Sequence, residues 1–291
     1  MTMRPPPIMA PLLLPSSLFE KTVTQQWLAG HHARKRFGQN FLHDRHWIER
    51  IVRAINPEPG QTIVEIGPGQ AALTREVIAL AGHEWAIEID RDLAAFLREQ
   101  FPEEQLGLIE ADALEIDWAS VLGTERLRII GNLPYNISSP LLFKLMAAAD
   151  RTIDQHFMLQ REVVDRMVAE PGSKTYGRLS VMLQYRYTMV KLFDVPPGAF
   201  TPAPKVVSSI VRMIPKKAEA LPEVDLALMG EIVAAAFQQR RKTLRNAVSA
   251  FADEALLSEA GIAPTARAET LAVDDFVRLT NAITRKRLTQ P

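Results

Sequence analysis

The chain has 291 residues, 47% of them hydrophobic and 23% charged, which is the balance of a globular protein with room for one large domain and a small one. It contains no cysteine, which excludes disulfides, thiolate metal sites and a cysteine nucleophile and fits a reducing, cytoplasmic setting; no apolar run reaches about eighteen residues, so no membrane-spanning helix is expected. Lys plus Arg and Asp plus Glu both total 34, so any nucleic-acid partner has to be met by local basic clusters rather than by net charge.

In chain order, residues 1–30 read as a flexible extension. Pro5-Pro6-Pro7, Pro11 and Pro15 interrupt the short run Leu12-Leu13-Leu14, unlike the longer apolar core of a secretory signal. A first basic cluster follows, Arg34-Lys35-Arg36. From about residue 31 to 215 strand and helix patterns alternate, which predicts an α/β fold with a largely parallel sheet covered on both faces. Thr62–Ile66 is the first predicted strand, and residues 71–81 form a helix stopped by Gly82. Glu84–Ile89, Leu106–Glu110 and Leu127–Ile130 are the next strands, with Leu93, Phe96 and Leu97 marking a helix between the first two. Ser139-Pro140 is predicted to open a helix, with Ser139 as its cap. His156–Leu159 is a fifth strand and Arg161–Ala169 a helix. Two later strands, near Met189–Phe193 and Val207–Ile214, complete a seven-stranded sheet with a hairpin-like edge. After Pro215 a polar linker leads into residues 216–291, where only helical periodicity remains: 225–237, 243–251, 254–260 and a last helix carrying Phe276, Leu279 and Ile283. This region holds two more basic groups, Arg240-Arg241-Lys242 with Arg245, and Arg285-Lys286-Arg287.

Two turns carry chemistry. Glu65-Ile66-Gly67-Pro68-Gly69 lies between a strand and a helix, where glycines let the backbone bend sharply and approach a ligand. Glu88 ends the next strand, placed to accept both hydroxyls of a ribose, and Asp112 follows the third strand, placed to receive an adenine amino group. The same stretch also fits the G-x-G-x-x-A form of a dinucleotide fingerprint, and a purely structural turn is a third option. Pro68 removes one N–H that would cradle a pyrophosphate, which favours a phosphate-free nucleoside such as S-adenosylmethionine. The second turn is Asn132-Leu133-Pro134-Tyr135 at the end of the fourth strand. The Asn132 side-chain oxygen and the Leu133 carbonyl can accept the protons of an exocyclic amine, Pro134 stiffens the turn, and Tyr135 can stack on the base. An ordinary Asn-Pro loop is the bland alternative. Phe200, opening the stiff segment Phe200-Thr201-Pro202-Ala203-Pro204-Lys205-Val206, is a candidate second aromatic wall for a flipped base, or simply core. His43-x-x-His46 is a close spaced histidine pair that lacks a convincing acidic companion, so no metal is expected. Together the two turns point to methyl transfer onto an adenine amine.

With these stretches, and with Gln39-Asn40-Phe41-Leu42 after the first basic cluster and Phe237-Gln238-Gln239-Arg240-Arg241-Lys242-Thr243-Leu244-Arg245-Asn246, the chain resembles the bacterial small-subunit ribosomal RNA adenine dimethyltransferases, the KsgA/RsmA family, from about Arg34 to about Ile283. The resemblance implies a class I S-adenosylmethionine-dependent methyltransferase, a Rossmann-like seven-stranded sheet with a small C-terminal all-helical domain that contacts ribosomal RNA. It implies cofactor roles for Asn40, Leu42, Gly67, Glu88, Asp112 and Asn132. It also implies dimethylation of two adjacent adenines near the 3′ end of small-subunit RNA on a late precursor particle. Arg34, Lys35, Arg36, Arg240, Arg241, Lys242 and Arg245 are the expected RNA contacts, and the protein is expected to act as a monomer. A resistance-type methyltransferase of large-subunit RNA and a non-catalytic assembly factor are the rival readings.

Overall fold

The computed structural model describes residues 39–123, 125–238 and 242–289. The described chain opens with a short strand, β1 (Phe41–Leu42), and a helix, α1 (Arg45–Ile55). The Asp44 carboxylate caps α1 by accepting the N–H groups of His46 and Trp47 at 2.9 and 3.4 Å. Then come β2 (Thr62–Ile66), α2 (Thr74–Ala81), β3 (Glu84–Glu88), α3 (Arg91–Gln100), β4 (Leu106–Glu110) and β5 (Leu127–Asn132). They are followed by α4 (Ser138–Leu145), β6 (Thr152–Gln160), α5 (Arg161–Met167), α6 (Arg178–Arg186), β7 (Tyr187–Val195), β8 (Phe200–Thr201) and β9 (Ser208–Pro215). Four helices complete the described chain: α7 (Leu226–Gln238), α8 (Leu244–Ala247), α9 (Glu254–Glu259) and α10 (Val273–Thr289).

The seven-stranded sheet has the order β4-β3-β2-β5-β6-β9-β7. Its first five strands are parallel, and β9 runs antiparallel to both β6 and β7. The chain steps outward from β2 to β3 and β4, then returns to the other side of β2 as β5. The carboxyl ends of β2 and β5 therefore flank a topological switch point, where open α/β sheets bind ligands. Their close approach is set by Gly131, where a Cβ would lie 2.5 Å from the Ile66 carbonyl oxygen. A separate two-stranded ribbon pairs β1 with β8, Leu42 opposite Phe200.

Two helices, α1 and α6, are not among the predicted elements. α6 buries Ser180, Val181, Met182, Leu183, Tyr185 and Arg186, so it is enclosed nearly all round and carries no one-sided apolar stripe to read. It lies between the sheet and the C-terminal helices. Leu183 joins the sheet core, while Val181, Met182 and Tyr185 join Met229, Ile232, Phe276 and Leu279 in a second core. The Tyr185 hydroxyl donates to the Pro222 carbonyl at 2.8 Å. Several predicted boundaries move: β6 opens at Thr152 rather than His156, α5 closes at Met167 rather than Ala169, and three others shift for visible reasons. α2 begins at Thr74 rather than Ala71, because Gly67, Gly69 and Ala71 all adopt positive φ and the turn takes up the first residues. α4 begins at Ser138 with no side-chain cap; Ser139 lies inside it, and the Ser138 hydroxyl donates to the Tyr135 carbonyl instead. The helix expected over 243–251 is regular only over α8, with turns beyond. Among the described residues no helix is long and apolar enough to cross a membrane.

Candidate active site

A cleft of about 310 Å³ opens at the carboxyl ends of β2, β3 and β5, within the size range of small-ligand sites. Its floor is the glycine turn. Gly67 (φ 69°) donates its N–H to the Ile87 carbonyl at 2.9 Å, and Ala71 (φ 64°) donates to the Pro68 carbonyl at 2.9 Å. The N–H of Gly69 (φ 56°) reaches one oxygen of Glu88 at 3.2 Å, while the other oxygen accepts the Asp90 N–H at 2.9 Å. Glu88 is thus aimed by two backbone donors and keeps a lone pair on each oxygen for a diol. Burial pushes its carboxyl above the ordinary range, and the backbone donors oppose that shift. Asp112 lines the far wall and accepts the Leu114 N–H at 2.8 Å.

The roof is a strap formed by residues 39–42. The Gln39 side chain donates to Asp90 at 3.1 Å on the β3 side. On the β5 side, the Asn132 amide donates to the Asn40 carbonyl at 3.0 Å. This leaves the Asn132 oxygen as its remaining polar atom, at the end of β5 and on the cleft wall. Phe41 sits over the glycine turn: a Cβ on Gly69 would lie 3.2 Å from its ring. Gly69 is therefore required twice, for its left-handed backbone and for the ring above it. Asn40 and Leu42 both line the cleft.

The third wall is residues 132–137. Leu133 buries its side chain and donates its N–H to the Met158 carbonyl at 3.2 Å, and the Pro134 carbonyl accepts the Ile137 N–H at 3.2 Å. The Tyr135 ring lines the cleft, with its hydroxyl 2.7 Å from the Ser208 hydroxyl. Burial raises the Tyr135 phenol above its ordinary value, so it stays protonated at neutral pH.

The structure brings Asn40, Leu42, Gly67, Glu88, Asp112, Asn132, Leu133, Pro134 and Tyr135 into this one cleft. It does not place Phe200 there. Phe200 is 3% exposed and packs in the core with Leu42, Ile51 and Val195. Its pairing with Leu42 fixes the inward-facing layer of the ribbon, so the expected second aromatic wall is a core residue in this state. Phe41, on the neighbouring position, is the second aromatic of the cleft; it and Gln39 were legible only as members of the strap motif. Of the expected RNA contacts, Arg34, Lys35, Arg36, Arg240 and Arg241 lie outside the described residues. Lys242 and Arg245 are exposed, and Arg245 is ion-paired with Glu254.

The cleft discriminates between the nucleosides that its glycine turn allows. No Lys or Arg is among its described lining residues, whereas Glu65, Glu88 and Asp112 are. A pyrophosphate would find no counter-charge, while a phosphate-free, cationic nucleoside is matched. Residues 30–285 match the family of ribosomal RNA adenine dimethylases. The chain belongs to that family. This dimethylase is 57% identical over 259 residues to the ribosomal RNA small subunit methyltransferase A of Aromatoleum aromaticum, covering 89% of this chain and 97% of the relative. It is 59% identical over 256 residues to the protein of the same name from Bordetella petrii, covering 88% and 97%. Among solved structures, the 23S rRNA methyltransferase ErmE superimposes with a TM-score of 0.63 at 25% identity, over 84% of this chain and 100% of that one. A dimethyladenosine transferase from Plasmodium falciparum superimposes with a TM-score of 0.69 at 24% identity, over 85% and 98%, a likeness of fold. The fold is that of a class I S-adenosylmethionine-dependent methyltransferase, and the dimethylase uses S-adenosylmethionine as its methyl donor.

Proposed function

We propose that this enzyme dimethylates the exocyclic amines of two adjacent adenines near the 3′ end of small-subunit ribosomal RNA, acting as a cytoplasmic monomer on a precursor particle. One observation carries the chemistry: the Asn132–Tyr135 turn and the Gly67–Glu88 floor open into the same cleft. The relatives from Aromatoleum and Bordetella, named for the small subunit, support that substrate over the large subunit.

S-adenosylmethionine, when bound, supplies an electrophilic methyl carbon. Glu88 would take its ribose hydroxyls, Asp112 its adenine amine, and Asn40 with Leu42 its methionine end. The chain's own task is positioning. An adenine amine is a weak nucleophile because its lone pair is delocalised into the ring. The Asn132 oxygen and the Leu133 carbonyl accept the two amine protons and favour a pyramidal nitrogen, while the Tyr135 ring supports the face of the base. No strong base is needed, because the nitrogen becomes acidic once it is alkylated. Lys242 and Arg245, with Arg34, Lys35, Arg36, Arg240 and Arg241, are assigned to RNA phosphates.

The test uses purified subunits and tritiated donor. Small subunits lacking the modification should take up label, with adjacent dimethyladenosines found by mass spectrometry, and large subunits should not. Asn132→Ala should lower turnover about a hundredfold or more while weakening donor binding only modestly. Retained turnover in that variant, or label confined to the large subunit, overturns the proposal.

A further inference from the structure

Resting on the base-site reading above, we propose that Ser208 is a positioning residue for methyl transfer: its hydroxyl holds the far end of the Tyr135 ring and so fixes the plane on which the target adenine stacks. The two hydroxyl oxygens are 2.7 Å apart, a full-strength O–H···O bond across a sequence separation of 73 residues.

Three observations make Ser208 an anchor. Its side chain is completely buried. Its backbone is held from both sides, as β9 pairs Ser208 with Gln160 of β6 and with Val195 of β7. The residues around it are pinned as well: Arg161 donates its N–H to the Val207 carbonyl at 2.9 Å, and the Ser209 hydroxyl donates to Asp194 at 2.6 Å. Asp194 is itself bridged through Lys191 to Asp165 at 2.9 and 3.0 Å.

Tyr135, by contrast, lies in a loop with no regular ladder to stiffen it. A ring fixed only at its Cα keeps freedom about two torsions, and stacking would have to order it in every catalytic cycle. Tied at the hydroxyl to the sheet, the ring is set before the base arrives. The phenol stays protonated and the serine does not titrate, so the tether holds across the working pH range. The tether also joins two elements far apart in the chain: the loop that follows Asn132 at the end of β5, which lines the cleft, and β9, which is held inside the sheet.

The experiment is steady-state methylation of small subunits by the full-length enzyme and its Ser208→Ala, Tyr135→Phe and doubly substituted forms. Ser208→Ala and Tyr135→Phe should each lower kcat about tenfold, the scale of one neutral hydrogen bond, with KM for S-adenosylmethionine within about twofold of wild type. The double variant should be no slower than either single one, since both remove the same bond. Tyr135→Phe carries the test alone if Ser208→Ala fails to fold. Wild-type kcat in either single variant, multiplying losses in the double variant, or a kcat loss matched by a rise in the donor KM overturns the inference. Failure of the underlying reading gives a different pattern: wild type labels no small-subunit adenine, or Tyr135→Ala keeps full kcat.

Discussion

At the scale of single residues, three carboxyls share one face of the sheet beneath the glycine turn. β2 and β3 pair Glu65 with Ala86, which sets Glu84 and Glu88 on either side of it. Glu65 accepts the Thr74 hydroxyl at 2.6 Å, and its pKa is pushed up to about 7, chiefly by burial and further by Glu88. Glu84 is completely buried with neither oxygen hydrogen-bonded, and burial with Glu65 nearby drives its pKa well above the ordinary 4.5. An acid whose pKa is raised by folding contributes its full stability below the unfolded value and loses it as pH climbs towards the folded value. For Glu65 that loss runs from about 4.5 to about 7. Glu84→Gln should therefore unfold at a higher temperature than wild type at pH 8, with the difference shrinking towards pH 4. A pH-independent difference between the two unfolding midpoints would exclude this account.

At the scale of elements, the parallel strands were the most legible part of the sequence. Buried runs such as Thr62–Ile66 end at residues that change backbone geometry, here Gly67 at positive φ, and the structure keeps those limits. The helices were less legible, for physical reasons. α6 is apolar on too many sides to show a period, and the start of α2 is governed by φ values at Gly67, Gly69 and Ala71 rather than by side-chain pattern. At the cleft, the glycine turn, Glu88 and Asn132 were legible because each lies at a strand end. The inward turn of Phe200 was not, because it follows from a pairing with Leu42 across most of the domain. Two expectations belong here. Gly131→Ala would press a methyl group against the Ile66 carbonyl, so it should cost about 1–3 kcal/mol and reduce turnover by displacing Asn132. Arg128 ties β5 to Asp154 of β6 at 2.8 and 3.0 Å and to the α1 end through the Ile55 and Asn56 carbonyls at 2.5 and 3.0 Å. Arg128→Ala leaves Asp154 buried with the half-exposed Arg212 at 3.1 Å and the neutral, buried His156 at 3.8 Å, and should cost about 3–5 kcal/mol in chemical denaturation. An unchanged midpoint in either titration would count against the packing described.

At the scale of the whole molecule, the sheet and the C-terminal helices are joined by shared apolar surface as well as by the chain. Tyr176, Val181, Met182 and Tyr185 precede the linker yet belong to the helical core. A chain ending at residue 215 should therefore expose them and aggregate, whereas one cut on the same grounds from an independent domain would stay dispersed; size-exclusion chromatography distinguishes the two. The neutral net charge has a local expression in the helices. Arg245 pairs with Glu254, Arg285 with Glu259 at 3.3 Å and Lys286 with Asp253 at 2.8 Å, all exposed. Exposed pairs are weak, so phosphates can replace these carboxylates at little cost. The strap over the cleft has one more implication. Its strand β1 is completed by β8, which the ribosome synthesises about 160 residues later. A nascent chain that has already formed β2 to β5 still lacks the strap's partner strand, so the strap can be completed only after about two-thirds of the chain has been made.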